Sequence, residues 1–109
     1  MVKHFYSFVV ETETLFIEID SLTISEDEKV HLKSLAESHI HHAVLDSILS
    51  ELTGADRKTF ISHLNSKDHA RMWKFINSKI EGAEEKIKEA ANFIKKELHK
   101  DIAEARRTN

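Results

Sequence analysis

Proline is absent from all 109 residues, and glycine occurs only at positions 54 and 82. Proline removes a helix donor, and an interior glycine costs about 1 kcal/mol, so little here interrupts long helices. Cysteine is also absent, which excludes a disulfide framework, a thiolate metal site and a cysteine nucleophile. Size scaling gives about 18,000 Å² of surface unfolded and about 6,200 Å² folded, enough for one core and too little for two. The expected fold is therefore all-α: a single domain over residues 1–109, a bundle of four to five helices. Apolar residues make up 40% and charged residues 32%, a balance that suits neither a disordered chain nor a membrane-spanning one. No apolar run approaches the ~18–20 residues of a membrane span, and Met1-Val2-Lys3-His4 lacks the apolar core of a signal peptide. A cytoplasmic location is expected.

Residues 4–22 carry two competing periods. Leu15, Ile17 and Ile19 alternate as in a strand. Phe5, Phe8, Thr12, Leu15, Ile19 and Leu22 instead step by three and four, as on a helix. A lone strand among helices would leave its backbone groups unpaired, so the segment 1–22 is expected to be helical.

Ser25-Glu26-Asp27-Glu28 is a capping box with three acids in the first turn, where the helix dipole favours them. Nothing breaks the chain until Thr53-Gly54, so one helix is expected over 26–52, about 40 Å long. On a wheel centred on Leu32, Leu35, Ala36, Ile40 and Ala43 gather near about 0–20°, whereas Val44, Leu45, Ile48, Leu49 and Leu52 gather near about 190°. The apolar stripe is thus expected to change sides near Ala43-Val44 and to serve two packing surfaces.

Thr53-Gly54-Ala55-Asp56 reads as a second cap, opening a short helix through Phe60, Ile61 and Leu64. Asn65-Ser66 is expected to close it and to cap a helix bearing Met72, Trp73, Phe75 and Ile76. A long amphipathic helix follows over 78–106, its narrow stripe running through Ile80, Ala83, Ile87, Ala90, Ile94, Leu98 and Ile102. Such a stripe on a highly charged helix suits a coiled-coil seam or a surface-lying bundle helix.

Eight histidines are present, and His39-Ile40-His41-His42 invites a metal reading. On the same wheel His39, Asp46 and His42 lie at about 340°, 320° and 280°, sharing a face, while His41 lies opposite at about 180°. Imidazole with carboxylate is a usual donor set for zinc or another divalent metal. The competing reading has His39 and His42 as neutral packing residues, with Asp46 pairing His42 one turn away. Three ligands from one helix rarely close a tetrahedron, so His63, His69 or a second chain would have to complete the site. Glu28-Lys29-Val30-His31 matches the Glu-x-x-His element of di-iron bundles, but it sits within the first-turn cap and has no second copy.

Catalytic patterns are missing from the sequence: there is no nucleophile elbow and no phosphate-cradling glycine loop. Trp73 between Arg71 and Lys74 could act as a stacking platform, but with Phe75 and Ile76 it reads better as a core or interface anchor. Net charge is −3, with −6 over residues 1–60 and +3 over 61–109. That balance is too weak, and too interleaved with glutamate, for nucleic-acid binding to be expected.

The run Leu22-Thr23-Ile24-Ser25-Glu26-Asp27-Glu28-Lys29, the long helix through Leu45-Asp46-Ser47-Ile48-Leu49, and the short helix with Phe60 and Leu64 resemble a group of small uncharacterised helical proteins of reduced-genome candidate-phyla bacteria. The resemblance covers about residues 15–105 and rests on caps and apolar periodicity. It implies an all-helical fold, and it carries no activity and no functional residues.

The functional expectation is a non-enzymatic helical protein–protein interaction module without a cofactor. It would self-associate, most simply as a dimer, through Val44, Leu45, Ile48, Leu52, Ile80, Ile87, Ile94 and Leu98. The alternative is a divalent-metal-binding helical protein using His39, His42 and Asp46.

Overall fold

A computed structural model of the chain describes residues 4–7 and 9–108. Its elements are α1 (Glu13–Asp20), α2 (Glu26–Leu49), α3 (Gly54–Ser66), α4 (His69–Lys79) and α5 (Ala83–Thr108), with no strand among the described residues. The all-α class follows from a chain with so few breakers.

Helix starts follow side-chain capping chemistry. Ser25 caps α2 by accepting the Glu28 amide at 3.2 Å, and its hydroxyl donates to Glu28 Oε1 at 3.0 Å. Asp68, rather than Asn65 or Ser66, caps α4 by accepting the Arg71 amide at 3.1 Å. Helix α3 runs on through Ser66 and ends where Lys67 turns left-handed at φ 61°. Thr53 precedes α3 but makes no side-chain cap. The expected C-terminal helix also starts later than 78: Ser78 and Lys79 finish α4, Ile80 is extended, and Gly82 at φ 66° makes the turn into α5. A left-handed residue is what glycine supplies without steric cost.

The N-terminal segment is only partly helical. Phe8 lies outside the described residues. Residues 5–7 and 9 form turns instead of extending α1, with the Val9 and Val10 amides both donating to the Tyr6 carbonyl at 3.0 and 3.1 Å. Glu11 then tethers the first turn of α1, accepting from the Thr14 amide at 2.7 Å and the Thr14 hydroxyl at 2.6 Å. The helical stripe still describes burial: Phe5, Leu15, Ile19 and Leu22 are in the core, and Ile17, which a strand would have buried with Leu15 and Ile19, is 61% exposed.

Ion pairs and grooves set the topology. Lys33 pairs with Asp20 at 2.7 Å across the turn between α1 and α2. Glu51, just past α2, meets Lys86 in the first turn of α5 at 3.1 Å, while Leu32 and Leu35 share a groove with Leu98 and Ile102. Helix α5 therefore runs antiparallel to α2. It runs parallel to α1: Glu11 meets Lys95 at 3.3 Å, Glu18 meets His99 at 2.7 Å, and Arg106 donates to Ser21. Helices α3 and α4 form an antiparallel pair joined by Asp56 and Lys79 at 3.7 Å. The molecule measures 48 × 22 × 21 Å.

The side change expected in α2 is a gradual drift and not a switch at Ala43-Val44. Its buried residues are Ala36, Ile40, Val44 and Ile48, a single row at four-residue spacing, continued by buried Leu52 beyond the helix. Each step of four advances the wheel by about 40°, so the stripe drifts steadily around the helix as an inclined ridge. Helix α5 uses the same spacing at Ala83, Ile87 and Ala91 before stepping to half-buried Ile94 and Leu98 and buried Ile102. No polar or charged residue is buried among those described.

Candidate functional site

The residues expected to face a second chain lie in this chain's own core. Val44, Ile48, Leu52, Ile80 and Ile87 are all buried, and Leu45, Ile94 and Leu98 are half-buried against the same cluster. Within one chain these side chains are therefore already covered.

His39, His42 and Asp46 are exposed on α2. No set of three or more histidine, aspartate or glutamate side chains is arranged to hold a metal ion among the described residues.

The structure instead gathers histidines that are distant in sequence. The Tyr6 hydroxyl lies 2.9 Å from His41 Nδ1. The His4 ring stacks on Tyr6 with centroids 4.9 Å apart and 7° between planes, and it lies 4.6 Å from the His41 ring. Phe5 packs edge-on against Phe60 and Trp73, and the Trp73 indole N–H donates to the Phe5 carbonyl. Residues 4–6 thereby touch α2, α3 and α4 together. Burial, aided by the nearby Glu37 carboxylate, pushes the Tyr6 phenol well above its ordinary range, so Tyr6 stays a neutral phenol. Burial also lowers His4 and His41 below the usual imidazole value; Glu37 partly offsets this at His4 while His69 adds to it, and His4 and His42 add to it at His41.

His4 belongs to the walls of two hollows. One, of about 430 Å³, is also lined by Glu11, Glu13 and Glu37. The other, of about 500 Å³, is lined by His41, His63, Lys67 and His69. His41, opposite the face shared by His39, His42 and Asp46, lies beside Val44 and Ile48 on the drifting ridge and so flanks the core.

A separate apolar groove lies at the far end of the α2–α5 pair. It encloses about 210 Å³ between Ile19, Leu22, Leu32, Leu35, Leu98 and Ile102. A shallower hollow of about 350 Å³ at Ile24 and His31 shares Leu22, Leu32 and Ala105 with it. Leu35 is 44% exposed beside the opening. No helix among the described residues is long and apolar enough to cross a membrane. Compared with known proteins, the chain matches no family model, no curated sequence and no solved structure.

Proposed function

We propose that this chain is a non-enzymatic helical interaction module that receives apolar side chains of a partner protein, most simply of a second copy, in the groove between α2 and α5. The supporting observation is the open apolar groove itself, with half-exposed Leu35 beside it. Apolar side chains entering it would remove both sides from water at about 25 cal/mol per Å². The molecule also exposes 7315 Å², against about 6,200 Å² for a compact monomer of this mass. Its elongation leaves helix flanks that a partner could cover, and two-fold pairing is the common arrangement for a single repeated chain.

Sedimentation from 5 to 500 µM tests the reading. The wild type should move from 12.6 kDa toward twice that mass, and Leu35→Asp should remain monomeric with its helix content intact. A wild type that stays monomeric throughout removes the second copy as occupant. Equal association by wild type and Leu35→Asp removes the groove as the interface.

A further inference from the structure

We propose that His4, Tyr6 and His41 form a proton-operated clasp: with both imidazoles neutral they hold residues 4–6 against α2, α3 and α4, and mildly acidic solution releases that segment. This lies outside the groove reading and does not depend on it.

The clasp needs neutral rings for geometric reasons. His41 Nδ1 lies 2.9 Å from the Tyr6 hydroxyl; a neutral ring can accept the phenol's hydrogen and a protonated ring can donate to the phenol oxygen. Protonation can therefore reverse this bond without breaking it, and the repulsion between the two histidine rings is what opens the clasp. The phenol cannot supply compensation by ionising, because burial and Glu37 keep it protonated. His4 lies 4.6 Å from His41, centroid to centroid, so two protonated rings would place like charges in contact.

The surrounding charges act in both directions. From α2 come Glu37, His41 itself and His42, whose ring lies 6.3 Å from that of His41. His63 of α3, Lys67 at its end and His69 of α4 line the hollow shared by His4 and His41. Glu11 and Glu13 line the other hollow beside His4. The carboxylates favour a charged His4, and the basic groups oppose a charge on the His41 side. A protonated His4 is therefore drawn toward the acidic hollow and repelled from the ring it contacts when neutral.

Linkage sets the sign. His4 and His41 have lowered values in the closed state, with desolvation the largest cause. The released segment, with imidazoles near their ordinary 6.5, then binds more protons. The closed state is fully favoured above about pH 6.5 and loses ground as pH falls below it.

The single tryptophan reports the event, because its indole N–H is bonded to the Phe5 carbonyl. Trp73 emission should change in one step between pH 7.5 and 5.0 while far-ultraviolet circular dichroism stays constant. Exchange protection of the Val9 and Val10 amides should fall at least tenfold over the same range. The double variant His4→Gln, His41→Gln should lose the step, since glutamine keeps an acceptor for Tyr6 but does not titrate. In the wild type, histidine ring resonances should place the His4 and His41 titrations on the Trp73 step, a readout that stands even if the variant does not fold. The proposal is overturned by a pH-independent Trp73 signal, a step retained in a folded double variant, histidine titrations displaced from the step, or loss of helix together with it.

Discussion

The Tyr6 hydroxyl and His41 Nδ1 lie 2.9 Å apart although 35 positions separate them in the chain. This contact ties a turn-forming N-terminal segment to the middle of the longest core-lining helix pair. Tyr6→Phe keeps the buried ring and removes only the bond, so at pH 7.5 it should cost about 1 kcal/mol. A lowered urea midpoint at unchanged slope is the expected result, and an unchanged midpoint would mean the bond contributes nothing in solution.

Glu11 accepts two hydrogen bonds from Thr14 and also meets Lys95. Those bonds, the Thr14 hydroxyl first, hold its carboxyl down at about 2 against an ordinary 4.5. A depressed carboxyl stabilises the fold above its unfolded value and loses that contribution as pH falls through the folded one. Glu11 is exposed, so screening limits the effect to about 0.5–1 kcal/mol. The stability difference between wild type and Glu11→Gln should be constant above pH 4.5 and shrink toward zero near pH 2. A difference that does not vary with pH would assign it to packing.

The three helix starts provide an internal control. Ser25 and Asp68 accept backbone amides, whereas Thr53 does not. Ser25→Ala and Asp68→Ala should each cost about 1 kcal/mol, and Thr53→Ala less than about 0.5 kcal/mol. Equal losses at all three in thermal melts would show that the hydroxyl of Thr53 caps α3 in solution.

Ile87 is 1% exposed within a single chain. Ile87→Glu would bury an unpaired carboxylate, a cost of about 4 kcal/mol or more against a typical total of about 5–15 kcal/mol. It should lower the melting temperature sharply at every protein concentration, and Glu84→Lys on the exposed face should not. A stable, merely dissociated Ile87→Glu protein would return this residue to an interface between chains.

Lys67 holds φ 61° with a β-carbon present, a conformation that disfavours every residue except glycine and, to a lesser degree, asparagine. Lys67→Gly should raise stability by about 0.5 kcal/mol, the relief of strain being partly offset by the greater freedom of glycine when unfolded. Chemical denaturation showing a loss would mean that the lysine side chain contributes more than its backbone costs.

Local chemistry was readable where it is local. The Ser25 box and the long run behind it depend on neighbours within four residues, and the helical step also picks out Phe5, Leu15, Ile19 and Leu22, all of them buried. The strand alternation at Leu15, Ile17 and Ile19 lost to the helical period because no second strand exists among the described residues to satisfy its backbone. The change of side in α2 is gradual where a switch was expected, for a definite reason. Sorting its residues into two halves of the wheel splits an inclined row at Ala43-Val44, although Ala36, Ile40, Val44 and Ile48 follow one ridge. Among the described residues, His39, His42 and Asp46 share an exposed face of one helix and belong to no group of three or more donors arranged for a metal ion.

What the sequence determined by itself is the helical state of the chain: few breakers, cap residues and a period near 3.6 act through backbone sterics and hydrogen bonds within one turn. Tertiary structure decided which apolar faces are inside and which histidines meet. Burial depends on what lies opposite, and α5 and the α3–α4 pair cover surfaces that a single-helix wheel leaves open. His4 reaches His41 only because Phe5 packs on Phe60 and Trp73, a contact assembled from four separate stretches of chain. No spacing within any one of them encodes it.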